Sequence, residues 1–174
     1  MDWRDKLLAT QDMLSKKPEL TLVFSLADRG APESALRRLR ETFPYLPTEY
    51  LDFLSLTDGA QFDMCVMFGT GSSTFPSLND LQRSWAPVLC PDESFAFGED
   101  SSGSAFVFDS TGTVFLYDVR QDGTSKKVAN TFMDLLSEVF MGSKYFELYP
   151  FGVAPNEWTN YLEEQGWLRS QPSS

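Results

Sequence analysis

The apolar and polar positions form their clearest pattern between residues 46 and 59. Four apolar residues recur three or four positions apart, which places them on one face of a helix: Leu46, Tyr50, Phe53 and Leu54. Pro47 suits the first position of that helix because its fixed φ is already helical. Asp58 and Gly59 follow, and a glycine readily takes the left-handed conformation that ends a helix. The pattern predicts a short buried helix that begins at Pro47.

The same reasoning predicts further helices and a set of strands. Helical spacing with capping residues predicts helices at 3–16, 32–43, 77–85, 130–142 and 156–166, the fourth of them capped by Asn130. Alternation predicts strands at 20–26, 61–68, 94–98, 105–109 and 113–119, with turns at 110–112 and 121–123. The fold class is predicted to be α+β, an antiparallel sheet of about four to six strands with helices packed against it and helical extensions at both chain ends.

The order of these elements, more than any one motif, resembles the SUKH superfamily. The resemblance covers about residues 20–142 and leaves the helix at 3–16 and the segment 143–169 as extensions of one domain that spans 1–174. The residues that carry it are Leu46, Pro47, Tyr50, Phe53, Leu54, Asp58, Gly59, Gly98, Asp109 and Phe132. The family includes bacterial immunity proteins and fungal regulators of cell-wall assembly and killer-toxin resistance.

Composition narrows the functional classes. The 174 residues are 42% hydrophobic and contain no histidine, which removes Ser-His-Asp and Cys-His catalysis and the commonest transition-metal ligand. We therefore expect a non-catalytic protein without cofactor or metal. Charged residues near the start of the chain, in place of an apolar signal segment, predict a cytoplasmic protein in which Cys65 and Cys90 are reduced and buried.

The charge is unevenly distributed along the chain. Residues 1–43 carry eight Lys/Arg and seven Asp/Glu, whereas residues 44–174 carry six and eighteen, within a net charge of −11. Such a surplus of acid repels nucleic acid and anionic lipid and attracts a basic protein. The alternative interpretation is that the surplus of acidic residues only keeps the protein soluble and has no role in binding.

Carboxylates concentrate near the predicted hairpins. Glu99, Asp100, Asp118 and Asp122 are candidate contacts for a basic partner, because turns expose their side chains. The same residues suit ordinary turns, and the bidentate Glu that would complete a calcium loop is missing. Trp85 is either a core residue or an anchor for the partner, since tryptophan is enriched at interface hot spots.

Three functional classes remain open. The resemblance implies a protein-binding domain, in particular an immunity protein that neutralises a cognate toxin, such as a nuclease, by direct contact. A regulatory or scaffold module of the cell-wall-regulator type is the alternative. An enzyme that depends on carboxylates or a metal is the third class, because enzymes without a catalytic histidine exist.

Overall fold

The computed structural model describes residues 1–118, 120 and 124–169. It is an α+β structure in which one antiparallel sheet of seven strands follows the order of the chain. The strands are β1 (Phe24–Leu26), β2 (Ala60–Phe62), β3 (Cys65–Met67), β4 (Ser94–Glu99), β5 (Ala105–Asp109), β6 (Val114–Asp118) and β7 (Thr124–Ala129).

Helices precede, interrupt and follow the sheet. They are α1 (Trp3–Met13), α2 (Glu33–Thr42), α3 (Thr48–Leu56), α4 (Leu78–Trp85), α5 (Phe132–Asp134) and α6 (Glu157–Glu164). The α5 helix continues as a π-helix over Leu135–Phe140, and short 3₁₀ helices lie at Pro18–Leu22 and Tyr145–Leu148. Within the described residues, no helix is both long and apolar enough to cross a membrane.

The sheet is larger than the predicted four to six strands. The predicted strand at 61–68 is a hairpin, because the chain reverses at Asp63 and Met64, and Phe62 pairs with Cys65. Asp63 takes a positive φ of 52°. The alternation of apolar and polar residues does not predict a turn with this backbone conformation. The β7 strand was missed because most of its side chains are exposed and polar, as is common at a sheet edge.

Two smaller expectations also need correction. The predicted strand at 20–26 begins as a 3₁₀ helix, and only its last three residues join the sheet. The cap of α5 is Thr131, whose hydroxyl accepts a hydrogen bond from the Asp134 N–H at 3.1 Å, and not Asn130. Thr and Asn both cap helices well, so sequence alone could not choose between two adjacent candidates.

Aromatic side chains fill the space between α3 and the sheet. Leu46, Tyr50, Phe53 and Leu54 are all buried, as their spacing predicts. The Tyr50 ring lies with its centroid 5.1 to 6.1 Å from the rings of Phe95, Phe97, Phe108 and Phe132. Because those four residues come from β4, β5 and α5, one tyrosine joins elements that are far apart in the chain.

The Asp58–Gly59 pair after α3 holds a long loop against the core. The Asp58 side chain is buried and accepts hydrogen bonds from the Thr70 N–H at 2.6 Å and the Thr70 hydroxyl at 3.0 Å. Gly59 has a φ of 119°, and a Cβ there would lie 2.5 Å from the Phe75 ring. Only glycine therefore allows Phe75 to pack at this point.

Gly98 has a comparable steric role inside the sheet. It lies at an irregularity of β4, where the register with β5 shifts between Ala96 and Gly98. A Cβ at this position would lie 2.7 Å from the Val66 carbonyl oxygen. The missing side chain thus lets β3 approach β4 closely.

The two chain ends pack against each other. The buried Lys6 ammonium donates to the carbonyl oxygens of Ser137 and Met141, each at 2.7 Å, where the π-helix ends. These carbonyls lack intrahelical partners, and a cation there is favourable. The Tyr161 hydroxyl of α6 donates to the Thr10 hydroxyl of α1 at 3.1 Å. The terminal helices therefore belong to the same packed structure as the sheet.

The Phe53→Ala variant should lose about 3–5 kcal/mol of unfolding free energy, because it leaves a cavity in the aromatic core. Phe53 is fully buried, with its ring centroid 6.1 Å from that of Trp3 and 5.4 Å from that of Phe132. Urea unfolding followed by tryptophan fluorescence measures the loss. A loss below about 1 kcal/mol would show that α3 is not central to the core.

The Tyr50→Phe variant should be as stable as the parent or more stable. The Tyr50 hydroxyl is buried and has no hydrogen-bond partner among the described residues. A buried hydroxyl without a partner costs desolvation energy, and its removal leaves the ring contacts in place. Thermal unfolding of the two proteins side by side tests this, and a clear drop in Tm for Tyr50→Phe would contradict it.

Candidate functional site

Of the three predicted carboxylates that the structure describes, Asp100 and Asp118 line one depression, whereas Glu99 lies on the other face of the sheet. Residues paired across neighbouring strands share a face, and Glu99 pairs with Ala105, which pairs with Tyr117. Asp118 follows Tyr117 directly and therefore faces the opposite side of the sheet. Glu99 and Asp118 therefore lie on opposite faces of the sheet.

Glu99 belongs to the packing of α4 against β4. The Trp85 side chain is 4% exposed. Burial raises the pKa of Glu99, while the Trp85 side chain beside it acts in the opposite direction. Trp85 is thus a packing residue, whereas the partly exposed Glu99 stays a predicted contact.

Asp100 closes the hairpin between β4 and β5. Its Oδ1 accepts hydrogen bonds from the Ser102 N–H at 2.9 Å, the Ser102 hydroxyl at 2.8 Å and the Ser104 N–H at 3.0 Å. Asp109 makes the equivalent three contacts in the hairpin between β5 and β6. Both aspartates therefore stabilise turns, the role in which aspartate commonly occurs in loops.

Asp118 and Asp100 line the same depression, which we call the sheet-end cleft. Its volume is about 640 Å³, and it lies where the ends of β4, β6 and β7 meet the segment 148–152. Its apolar lining consists of Met64, Leu116, Val128, Leu148, Tyr149, Pro150 and Phe151. Asp122, the fourth predicted carboxylate, lies outside the described residues.

Phe151 is the most unusual residue of the sheet-end cleft. Its side chain is fully exposed, and Met64 nearby is 39% exposed. The chain turns tightly here, with the Gly152 N–H donating to the Tyr149 carbonyl at 2.8 Å. Sequence reasoning misses Phe151 because the segment 143–169 lies outside the region that the resemblance covers. A large apolar residue between Pro150 and Gly152 was the available signal, since such turns lie at the surface.

The cleft also contains positive charge. Arg120 and Lys126 line it beside the two carboxylates, so the cleft itself is balanced in charge. The Lys126 ammonium donates to the Glu147 carbonyl oxygen at 2.8 Å, which fixes its position. The Asp118 Oδ1 accepts from the Arg120 N–H at 2.8 Å. The surplus of acid in the chain is therefore not concentrated in this cleft.

A buried carboxylate anchors the segment that carries Phe151. Asp63 is 5% exposed, and it accepts a hydrogen bond from the Tyr145 hydroxyl and others from the Asn156 side-chain amide at 3.2 Å. These two partners flank the segment 148–152. The sharp turn at Asp63 thus positions one wall of the sheet-end cleft.

The two cysteines have different environments. Cys65 is buried, and burial raises the pKa of its thiol to about 12, so it is protonated at neutral pH. Cys90 is exposed, and the expectation that both thiols are buried is wrong for this residue.

Across the described part of the chain, no three His, Cys, Asp or Glu side chains are grouped so that they could hold a metal ion.

Comparison with known proteins places the chain in a family. No curated protein matches it significantly in sequence. The model of the SMI1 / KNR4 family (SUKH-1) matches residues 30–138, which is more than half of the chain. The match contains the Asp58–Gly59 pair and most of the sheet, and it leaves α1 and α6 outside. The resemblance predicted from the order of elements is confirmed, and the chain belongs to the SMI1 / KNR4 family (SUKH-1).

Proposed function

We propose that this chain is a non-catalytic protein-binding domain of the immunity type, which neutralises a cognate toxin by direct contact at the sheet-end cleft. Membership of the SUKH-1 family supports this class of function. The observation that carries the proposal is the fully exposed Phe151 ring beside an apolar cleft of about 640 Å³. An aromatic residue next to an apolar depression is typical of the centre of a protein interface.

A partner for this surface has two chemical requirements. It must present apolar side chains to cover Phe151 and Met64, because removing exposed apolar surface from water lowers the free energy of the complex. Its cations must also reach Asp100 and Asp118 in a cleft where Arg120 and Lys126 lie beside the two carboxylates. A basic toxin, for example a nuclease with a positively charged substrate site, meets the second requirement, and the net charge of −11 would accelerate its approach.

The residues also favour binding over catalysis. The sequence has no histidine, and the buried Cys65 thiol stays protonated at neutral pH. Asp100 and Asp109 both use their carboxylates to close hairpins. These groups stabilise the fold, and none of them presents an activated nucleophile to solvent.

The Phe151→Ala variant should bind the toxin with a dissociation rate raised by at least tenfold, because loss of an interface hot spot costs about 2 kcal/mol or more. Its Tm should stay close to that of the parent, since the ring makes no buried contact in the free protein. A basic toxin captured on the full chain, in catalytically inactive form, serves as the partner in surface plasmon resonance.

The Leu22→Ala variant is the matched control for this experiment. Leu22 is 74% exposed and does not line the sheet-end cleft, so its truncation should leave the dissociation rate unchanged. Equal dissociation rates for the Phe151→Ala variant and the parent would reject the cleft as the binding surface.

Neutralising the two cleft carboxylates should mainly slow association. The double variant Asp100→Asn/Asp118→Asn keeps an oxygen acceptor at each position, so the turns remain closed while two charges are lost. Association at low salt should be about three- to tenfold slower, with a weaker dependence on salt.

Asp109→Asn provides the control for the charge experiment. Asp109 makes the same three turn contacts as Asp100 but lies outside the cleft. This variant should associate at nearly the parent rate. If Asp109→Asn and the double variant slow association equally, or if binding shows no dependence on salt, the two cleft carboxylates have no special role.

A further inference from the structure

A second depression, which we call the helix groove, lies between α2 and α4. Its volume is about 690 Å³, within the range typical of ligand-binding pockets. Five apolar side chains line it: Ala35, Leu39, Phe43, Leu78 and Phe95. Leu39 and Phe43 are only partly buried, so apolar surface remains open to solvent. The groove is separate from the sheet-end cleft, and the two share no lining residue.

The helix groove has a chemical character that differs from the rest of the chain. Arg38 projects from α2 and Arg83 from α4, and no described acidic residue lines the groove. Residues 44–174, by contrast, carry eighteen acids against six bases. Because Arg83 pairs with Asp80, the excess positive charge at the groove comes from Arg38, on a protein whose net charge is −11.

Both arginines can take a new anionic partner. Within the described residues, Arg38 makes no ion pair. Arg83 pairs with Asp80 on the same helix, and their side chains are 78% and 67% exposed. Exposed pairs of this kind contribute little free energy, so an incoming carboxylate can replace Asp80. A guanidinium binds a carboxylate through two parallel hydrogen bonds, which gives directional recognition.

The buried Asp58 fixes one wall of the groove. Thr70 lines the groove, and both its N–H and its hydroxyl donate to the Asp58 carboxylate. The same loop leads directly into α4, with the Leu78 N–H donating to the Gly69 carbonyl at 2.8 Å. The Asp58 hydrogen bonds thus hold Thr70 in place at the groove, and the lining of the groove falls within the family match at 30–138.

We propose that the helix groove binds a carboxylate-bearing peptide segment of a protein partner. A large apolar side chain of the segment packs against Leu39 and Phe43, and flanking carboxylates pair with Arg38 and Arg83. A short acidic segment suits the site better than nucleic acid, because a polyanion is repelled by the acidic remainder of the chain. This site is independent of the proposed toxin contact and prefers the opposite charge.

A random peptide library displayed on phage tests the proposal with the full chain as bait. Selected peptides should place Asp or Glu beside Phe, Leu or Trp. Synthesised with a fluorescein label, they should bind in fluorescence anisotropy and lose roughly tenfold or more in affinity with Arg38→Glu or Arg83→Glu. The Arg38→Lys variant should be intermediate, since it keeps the charge but loses the two-pronged geometry.

Arg37→Glu is the matched control. Arg37 is exposed on the same helix but does not line the groove, so its reversal should change affinity by no more than about twofold. The double variant Asp100→Asn/Asp118→Asn should leave peptide binding intact, which separates this test from that of the toxin contact. Thermal unfolding of each variant verifies that the fold is retained.

Four results would overturn the proposal. One is recovery of no binding peptides, and another is selected peptides without enrichment of acidic residues. The third is an equal effect of Arg37→Glu and Arg38→Glu on affinity. The last is a single-stranded oligonucleotide that competes with the peptide, because the groove would then serve a nucleic acid.

Discussion

Packing of α3 against the sheet is the interaction on which the other elements depend. The Tyr50 ring contacts four phenylalanines from β4, β5 and α5, and Phe53 extends the same cluster to Trp3 in α1. Rings that meet tilted or edge to face at such distances combine a large buried area with a defined geometry. Because the cluster draws on elements from both halves of the chain, loss of one ring affects the placement of helices on both sides of the core.

Hydrogen bonds of buried polar groups fix the positions of loops and chain ends that the aromatic core does not contact. Asp58 holds the loop before α4, Asp63 holds the segment after Tyr145, and Lys6 caps the π-helix. Each of these groups has hydrogen-bond partners from distant parts of the chain, as a buried polar group requires. The consequence is that α1 and the C-terminal segment, which lie outside the family match, complete the structure that the matched region begins.

The two surface depressions follow from these polar contacts. The Asp58 hydrogen bonds to Thr70 shape the helix groove, and the Asp63 contacts shape the sheet-end cleft. The sheet-end cleft combines the exposed Phe151 with two carboxylates and two cations, and the helix groove combines partly open apolar surface with two arginines. The two surfaces therefore differ in charge as well as in position.

The sequence by itself determined the class of the fold, the buried face of α3 and the family, because these depend on spacing along one element or on the order of elements. It also placed Asp100 in a turn, since its short-range hydrogen bonds are local. Tertiary structure decided the rest. The reversal at Asp63, the opposite faces of Glu99 and Asp118, and the meeting of Phe151 with the sheet all depend on contacts between residues distant in the chain. The periodicity of the sequence cannot predict such contacts, because they depend on strand register and on packing against other elements.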